Sequence, residues 1–204
     1  MKNIIKFVKN ELSKDNSGHG LQHALRVYNN AKKINNKEKG NEKIVLTAAL
    51  IHDTVDKKLF ENFENRIEHV KQFLCENNYT LEEINEIVYI ISNISWNNGQ
   101  NSDLNSLNAK IVRDADRLDA IGAIGIIRTI EYGNSKQRNF YDDENILLND
   151  GKYKFNKITN STLSHFYEKL LLLKDKLHTK TALNMAQKRH DFMQLFLKEF
   201  YDEI

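Results

Sequence analysis

Apolar residues recur at helical spacing along nearly the whole chain, and this pattern predicts an all-α protein. The spacing predicts helices that begin near Asn3 and Leu21, and a third helix capped by Asn41. A fourth runs over residues 67–74 and is followed by a capping-box pattern, Thr80-Leu81-Glu82-Glu83, which predicts a fifth. Beyond them we expect one long helix over residues 107–132 and two closing helices over residues 161–177 and 180–200.

Residues 133–157 interrupt the helical pattern. The segment is polar, and Gly133 and Gly151 break it. A small β-hairpin is compatible with this segment, but no other run of residues favours a strand. We therefore expect a single domain over residues 1–204, with a helical core over about 18–130 and a helical extension over about 131–204.

The composition of the chain argues against several classes of protein. The 204 residues carry a formal net charge of +2, with lysines interleaved with acids, which argues against a dedicated nucleic-acid-binding surface. No stretch reaches the roughly 18 consecutive apolar residues of a membrane span. The single cysteine, Cys75, excludes an internal disulfide, and we expect a cytoplasmic protein.

One apolar helix ends abruptly on two polar side chains. The run Ala49-Leu50-Ile51 reads as buried helix, and His52-Asp53 follows at once. An ordinary helix end that meets water is one interpretation. The alternative is that both side chains turn towards one point, because imidazole and carboxylate groups are typical ligands of divalent first-row metals.

Two further segments carry the same chemistry. His23 lies near the start of the second predicted helix, where a lone histidine is more often structural than a ligand. The segment Val112-Arg113-Asp114-Ala115-Asp116-Arg117-Leu118-Asp119-Ala120 places three carboxylates in a mostly apolar helix. Unpaired buried charges are costly. Two arginines at i, i+4 spacing can neutralise two of the carboxylates, and a third then calls for a metal or another cation.

Taken together, "GHGLQHALRV", "LTAALIHDTVDKK" and "IVRDADRLDAIGAIGIIRT" resemble the HD-domain superfamily of metal-dependent phosphohydrolases. The last segment, with "HFYEKLLLLKDKLHTKTA" and "AQKRHDFM" behind it, resembles a subgroup of small single-domain bacterial members. The resemblance implies an HD-domain helical bundle with additional C-terminal helices. It also implies His23, His52, Asp53 and Asp116 as ligands of one divalent ion: Mn²⁺, Mg²⁺, Co²⁺, Ni²⁺ or Fe²⁺.

Within this resemblance, the frame "ADRL" matches Asp116, and not Asp114 or Asp119, to the final aspartate of the family. Asp114 lies about 200° away around a helix, at roughly 100° per residue, so both cannot point inward. Asp119 lies near the same face as Asp116 and is the rival. We expect Asp114 and Asp119 to pair with neighbours or with solvent.

Catalytic groups are expected in the turn after His52-Asp53. Asp56 is the candidate general base, and Lys57 could neutralise a phosphate oxygen, although a plain surface lysine is an equal alternative for Lys57. In the resembled family, alarmone-hydrolysing members often carry a second acid where this chain has Lys57, which disfavours that substrate. The resemblance alone adds Lys169 and Arg189 as contacts to distal phosphates and His165 as a pocket residue.

The resemblance favours a small phosphorylated substrate, first a nucleoside triphosphate that is cleaved to a monophosphate and pyrophosphate. A nucleoside 5′-monophosphate phosphatase is the alternative activity. A catalytically silent nucleotide-binding regulatory module is the alternative of another class. No nucleic-acid or membrane partner is expected, and a homodimer is an alternative to the monomer.

Overall fold

The computed structural model describes residues 1–13, 20–55, 62–94, 103–142 and 160–204, together with the backbone of two short strands at 146–149 and 152–155. The described residues form α1 (Lys2–Glu11), α2 (Leu21–Glu38), α3 (Glu42–Ile51), α4 (Phe63–Glu76), α5 (Leu81–Asn93), α6 (Leu107–Asp119), α7 (Gly122–Ser135), α8 (Ser164–Glu168) and α9 (Lys180–Asp202). Short 3-10 turns follow α3 at His52–Val55 and follow α8 at Leu170–Leu172 and Lys174–Lys176. The all-α prediction is confirmed.

Two compact units divide the chain at Asp116 and Arg117. The first unit, Met1–Asp116, is built around α3, whose residues from Ile44 to Ile51 are all buried. Helices α1, α2 and α5 pack on α3, and α4 packs on α5. A helix that is apolar on all sides is stable only when other helices surround it. The end of α3 therefore lies in the interior of this unit.

Capping residues in the sequence predicted the starts of α3 and α5 correctly. The Asn41 side chain accepts a hydrogen bond from the Ile44 amide at 3.2 Å and caps α3. Thr80 and Glu83 form the reciprocal capping box of α5, with bonds of 3.3 and 3.0 Å. Each cap satisfies an amide that would otherwise lack an intrahelical partner, which is why a four-residue pattern suffices to predict it.

The second unit, Arg117–Ile204, contains α7 packed on α9. Here the prediction of one helix over 107–132 is wrong, because the chain breaks between α6 and α7. Gly122 has a φ of +80°, and a Cβ there would lie 3.0 Å from the Cβ of Arg189. Both the left-handed backbone and the close approach of α9 therefore require glycine.

Gly133 corrects another expectation, since it lies within α7 and does not end it. A Cβ at this buried position would collide with the side chain of Thr162, so the residue serves close packing. The hairpin is real: β1 (Ile146–Asn149) and β2 (Lys152–Phe155) pair antiparallel, with Ile146 opposite Phe155. The predicted helix over 161–177 is replaced by α8 and the two 3-10 turns.

Candidate metal centre

The first histidine of the candidate site lies in the opening turn of α2. Gly20 precedes the helix in an extended conformation, and His23 is 2% exposed. The apolar side of α2 is buried through Ala24, Val27 and Ala31, which holds the first turn against the core of the unit. His23 is therefore an interior side chain and not a solvated one.

The end of α3 is held by its own side chains. His52 and Asp53 open the 3-10 turn and are 6% and 4% exposed. The Thr54 hydroxyl donates to the Ile51 carbonyl at 2.7 Å, and His52 Nδ1 lies 2.9 Å from the Ala49 carbonyl. A carbonyl oxygen can only accept, so His52 Nδ1 carries the proton. Nε2 of His52 is then the nitrogen with a free lone pair, as in metal-binding histidines.

Four side chains converge within the first unit. His23 Nε2 lies 3.2 Å from His52 Nε2, 3.3 Å from Asp53 Oδ2 and 3.4 Å from Asp116 Oδ1. His52 Nε2 lies 3.3 Å from Asp53 Oδ1 and 3.8 Å from Asp116 Oδ1. His23, His52 and Asp53 alone each offer one ligand atom within 4.8 Å of the others. The Asp116 side chain is 27% exposed, so the cluster opens to solvent on its side.

This spacing fits a bound divalent cation. Two ligand atoms that each lie about 2.1 Å from one ion, at angles between octahedral and tetrahedral, are about 3.0–3.4 Å apart. The spacings around His23 Nε2 fall in that range. The contact between the two imidazole nitrogens also accommodates a hydrogen bond donated by the His23 ring, but the two adjoining carboxylates favour a positive charge at this point.

A buried amide links two of the helices that carry these residues. The Asn30 side chain, on the same helix as His23, donates to the carbonyl of Ala115 at 3.2 Å. Ala115 directly precedes Asp116. Because Asn30 is only 5% exposed, its amide needs partners within the protein, and this bond connects α2 to α6. A polar residue on an apolar helix face was the sole sequence signal for this bond.

The remaining acids of α6 are accounted for differently. Asp119 accepts a hydrogen bond from Arg128 at 2.7 Å, and its side chain is 3% exposed. Asp114 is fully buried. Arg113 donates to the Asn93 carbonyl at 2.6 Å, and the charge of Asp114 acts favourably on its guanidinium. Arg117 donates to the Lys176 carbonyl. Sequence analysis did not find Arg128 as the partner of Asp119, because nothing in a nine-residue separation specifies such a pair.

Several predicted functional residues are not among the four converging side chains. Asp56 and Lys57 are outside the described residues, so their roles stay predictions. In the second unit, the Arg189 guanidinium donates to the Leu118 carbonyl near the end of α6. Burial lowers the pKa of Arg189, and the charge of Asp119 partly offsets this.

His165 and Lys169 lie together in the second unit with an arginine that sequence analysis missed. Burial, and then the charges of Lys169 and Arg138, lower the pKa of His165 to about 4. Backbone bonds of 2.9 Å join residues 162 and 163 to residues 139 and 140, which brings Arg138 to this cluster. His165 is therefore neutral at neutral pH, with Lys169 and Arg138 close enough to act on it and Glu168 Oε2 at 4.0 Å from its Nδ1.

Comparison with known proteins identifies the family of the chain. The HD domain matches residues 20–121, half of the chain, and this range contains all four converging residues. The chain belongs to the HD-domain family. A curated relative, YpgQ of Bacillus subtilis, is 34% identical over 97% of this chain and 90% of its own length, and it is uncharacterized.

Solved HD-domain structures share the fold over the full chain. An HD-superfamily hydrolase from Bacillus thuringiensis is 40% identical, with a TM-score of 0.80 over 99% of this chain and 95% of its own. The structure of Bacillus subtilis YpgQ in complex with ADP is 32% identical, with a TM-score of 0.80 over 100% of this chain and 97% of its own. Within the described ranges, no helix of this HD-domain protein is long and apolar enough to cross a membrane.

Proposed function

We propose that this protein is a divalent-metal-dependent phosphohydrolase that acts on nucleotides, with cleavage of a nucleoside triphosphate to a monophosphate and pyrophosphate as the favoured reaction. The observation that carries the proposal is the convergence of His23, His52, Asp53 and Asp116 on one point. A mixed nitrogen and oxygen donor set that is open on one side is typical of catalytic sites and not of closed structural ones.

These four side chains would hold the ion, with His52 oriented by the Ala49 carbonyl. When bound, a divalent cation supplies an activated water and neutralises charge on a phosphate oxygen. The donor set accepts Mn²⁺, Mg²⁺, Co²⁺, Ni²⁺ or Fe²⁺, because sites of this type discriminate weakly among such metals. Asp116, which is partly exposed, lies on the side from which a substrate could reach the ion.

In the proposed reaction, a water oxygen adds to the α-phosphorus, and the bond from that phosphorus to the bridging oxygen of the β-phosphate breaks. Asp56 is the proposed acceptor of the water proton, and Lys57 the proposed cation for charge on the leaving phosphate. Lys169, Arg189 and His165 stay proposed substrate contacts. Arg138 joins this set, because its charge acts on His165 together with that of Lys169.

One comparison supports a nucleotide as the ligand and another supports hydrolysis. The related YpgQ has been crystallised with ADP, and another relative of the same fold is an HD-superfamily hydrolase. The charges of Lys169 and Arg138, which act on His165, suit the phosphates of a nucleotide.

The test is a panel of nucleoside mono-, di- and triphosphates assayed with each metal and after chelation, with identification of both products. Monophosphate plus pyrophosphate supports the favoured reaction, whereas nucleoside plus inorganic phosphate from a monophosphate supports the alternative phosphatase. Nucleotide binding without hydrolysis in the presence of any of the metals would support the alternative that the protein is a catalytically silent regulatory module. The Asp53→Ala variant should be inactive, and Asp103→Ala, at an exposed position of the same unit, is its matched control.

A further inference from the structure

An arginine of α4 donates a hydrogen bond to the turn that carries His52 and Asp53. Arg66, in the first turn of α4, donates from Nε to the Thr54 carbonyl at 3.0 Å. The last carbonyls of a helical segment have no intrahelical partner, and Thr54 is the residue after Asp53. The bond thus joins the His52–Val55 turn to α4, across the segment 56–61.

A carboxylate on α1 fixes the other side of the same guanidinium. Arg66 Nη2 lies 2.5 Å from Glu11 Oε2, and both side chains are 19% exposed. His69, one turn along α4, places Nε2 3.2 Å from Glu11 Oε1. Burial alone would raise the pKa of Glu11, but the hydrogen bonds from Arg66 and His69 outweigh burial and hold that pKa below its ordinary value. Glu11 is therefore ionised at neutral pH and orients Arg66.

We propose that Arg66 is a positioning residue of the metal centre, which holds the turn bearing His52 and Asp53 through the Thr54 carbonyl while Glu11 orients its guanidinium. The inference rests on the proposed metal centre and not on the identity of the substrate. Only a planar guanidinium serves a carbonyl from Nε and a carboxylate from Nη2 at once, so lysine is not an equivalent residue here.

A merely stabilising ion pair predicts a different result. Removing such a pair lowers the free energy of unfolding but leaves the metal affinity of the folded protein unchanged. A positioning role predicts that metal affinity falls even where the protein is fully folded, because the donor atoms of His52 and Asp53 are no longer held in place. Groups that orient metal ligands from outside contribute about 10- to 100-fold in metal affinity.

The experiment measures the dissociation constant of Mn²⁺ by calorimetry on the full chain, well below the unfolding temperature, with folding checked by circular dichroism. Arg66→Met should weaken Mn²⁺ binding by about 10- to 100-fold, and Arg66→Lys should restore only part of it. The control is Lys71→Met on the same helix, which removes an exposed 2.6 Å pair with Glu68 that does not involve the turn.

If Arg66→Met does not fold, Glu11→Gln provides the milder variant, since it keeps an acceptor but removes the charge that orients Arg66. It should weaken Mn²⁺ binding less than Arg66→Met and more than Lys71→Met. Unchanged Mn²⁺ affinity in a folded Arg66 or Glu11 variant would overturn the positioning role. Absence of Mn²⁺ binding by the wild type would overturn the metal centre with it, whereas binding without nucleotide hydrolysis would overturn only the proposed activity.

Discussion

Two carboxylates of α6 that are three residues apart illustrate two ways to stabilise a negative charge inside a protein. Asp119 is buried and receives a hydrogen bond from Arg128 at 2.7 Å, so a cation of the chain itself lies against it. Asp116 faces the Nε2 atoms of two histidines at 3.4 and 3.8 Å, and one of these nitrogens presents a lone pair. The first arrangement is a complete ion pair. The second brings imidazole and carboxylate groups to one point, which is the arrangement that a bound divalent cation requires.

The largest expected effect tests the four converging side chains directly. Asp53→Ala removes one donor atom and should lose bound metal and hydrolysis together, whereas the exposed Asp103→Ala should lose neither. Metal stoichiometry by atomic emission, measured beside the hydrolysis rate, checks this. Asp53→Ala protein with full metal content would mean that His52-Asp53 is an ordinary helix end.

The same measurement separates the acids of α6. Asp116→Asn should lose metal, while Asp119→Asn should keep it because Arg128 already pairs with Asp119. Asp114→Asn should also retain metal, although it should lower stability because Asp114 is fully buried. Loss of metal from Asp114→Asn alone would contradict the assignment of Asp116.

Substitutions of Asp56 and Lys57 should affect catalysis without affecting metal binding. Asp56→Asn should keep the fold and the metal but lower turnover by about 10²- to 10⁴-fold, as expected for loss of a general base. Lys57→Ala should retain metal and weaken phosphate binding or the rate. Single-turnover rates of the metal-loaded variants test both. Near-normal turnover in Asp56→Asn would leave the base unassigned.

The ion pair between Asp119 and Arg128 should contribute to the free energy of unfolding. Asp119→Asn leaves Arg128, 22% exposed, and the half-buried Arg189 without that negative charge. We expect a loss of about 1–3 kcal/mol in the free energy of unfolding, below the cost of breaking a fully buried pair because solvent reaches Arg128. Urea denaturation measures it. The control Asp191→Asn removes an exposed carboxylate of α9 that accepts from Gln187, and should change stability by less than about 0.5 kcal/mol.

What the sequence predicted well is what neighbouring residues decide. The caps of α3 and α5 depend on residues three apart, so Asn41 and the Thr80–Glu83 pair were readable in advance. The four converging residues were found because the three segments that carry them together resemble the motifs of the HD-domain superfamily, whereas each segment alone also has a structural interpretation. The break before Gly122 was missed, because it depends on the approach of Arg189 from a helix about 65 residues further along the chain.

The supporting groups were missed for the same reason. Asn30, Arg66 and Arg128 each act on a partner that is distant in the sequence or on another helix. A polar residue on an amphipathic helix predicts only that the side chain is polar. Its acceptor becomes known when the helices are packed, so the residues that orient a site are harder to predict than the residues that form it.

The smallest expected effect extends the comparison to a third cluster, in which Lys169 and Arg138 act on a histidine whose Nδ1 also lies 4.0 Å from Glu168 Oε2. The pKa of His165 is about 4, below the ordinary value of 6.5, because of burial and of Lys169 and Arg138. Between these two values the unfolded chain binds a proton that the folded chain does not. Folding stability should therefore fall as the pH is lowered through this window.

His165→Gln should flatten this dependence, so that the difference in urea midpoint between pH 7 and pH 4.5 becomes smaller than in the wild type. His178→Gln, at an exposed position in the same unit, controls for the loss of a histidine. An NMR titration of the His165 ring measures the pKa itself. Protonation of His165 near its ordinary pKa would mean that neither burial nor the charges of Lys169 and Arg138 lower that pKa. The cluster would then lose its support as a phosphate-binding group, while the carboxylate-facing pair His23 and His52 would be unaffected.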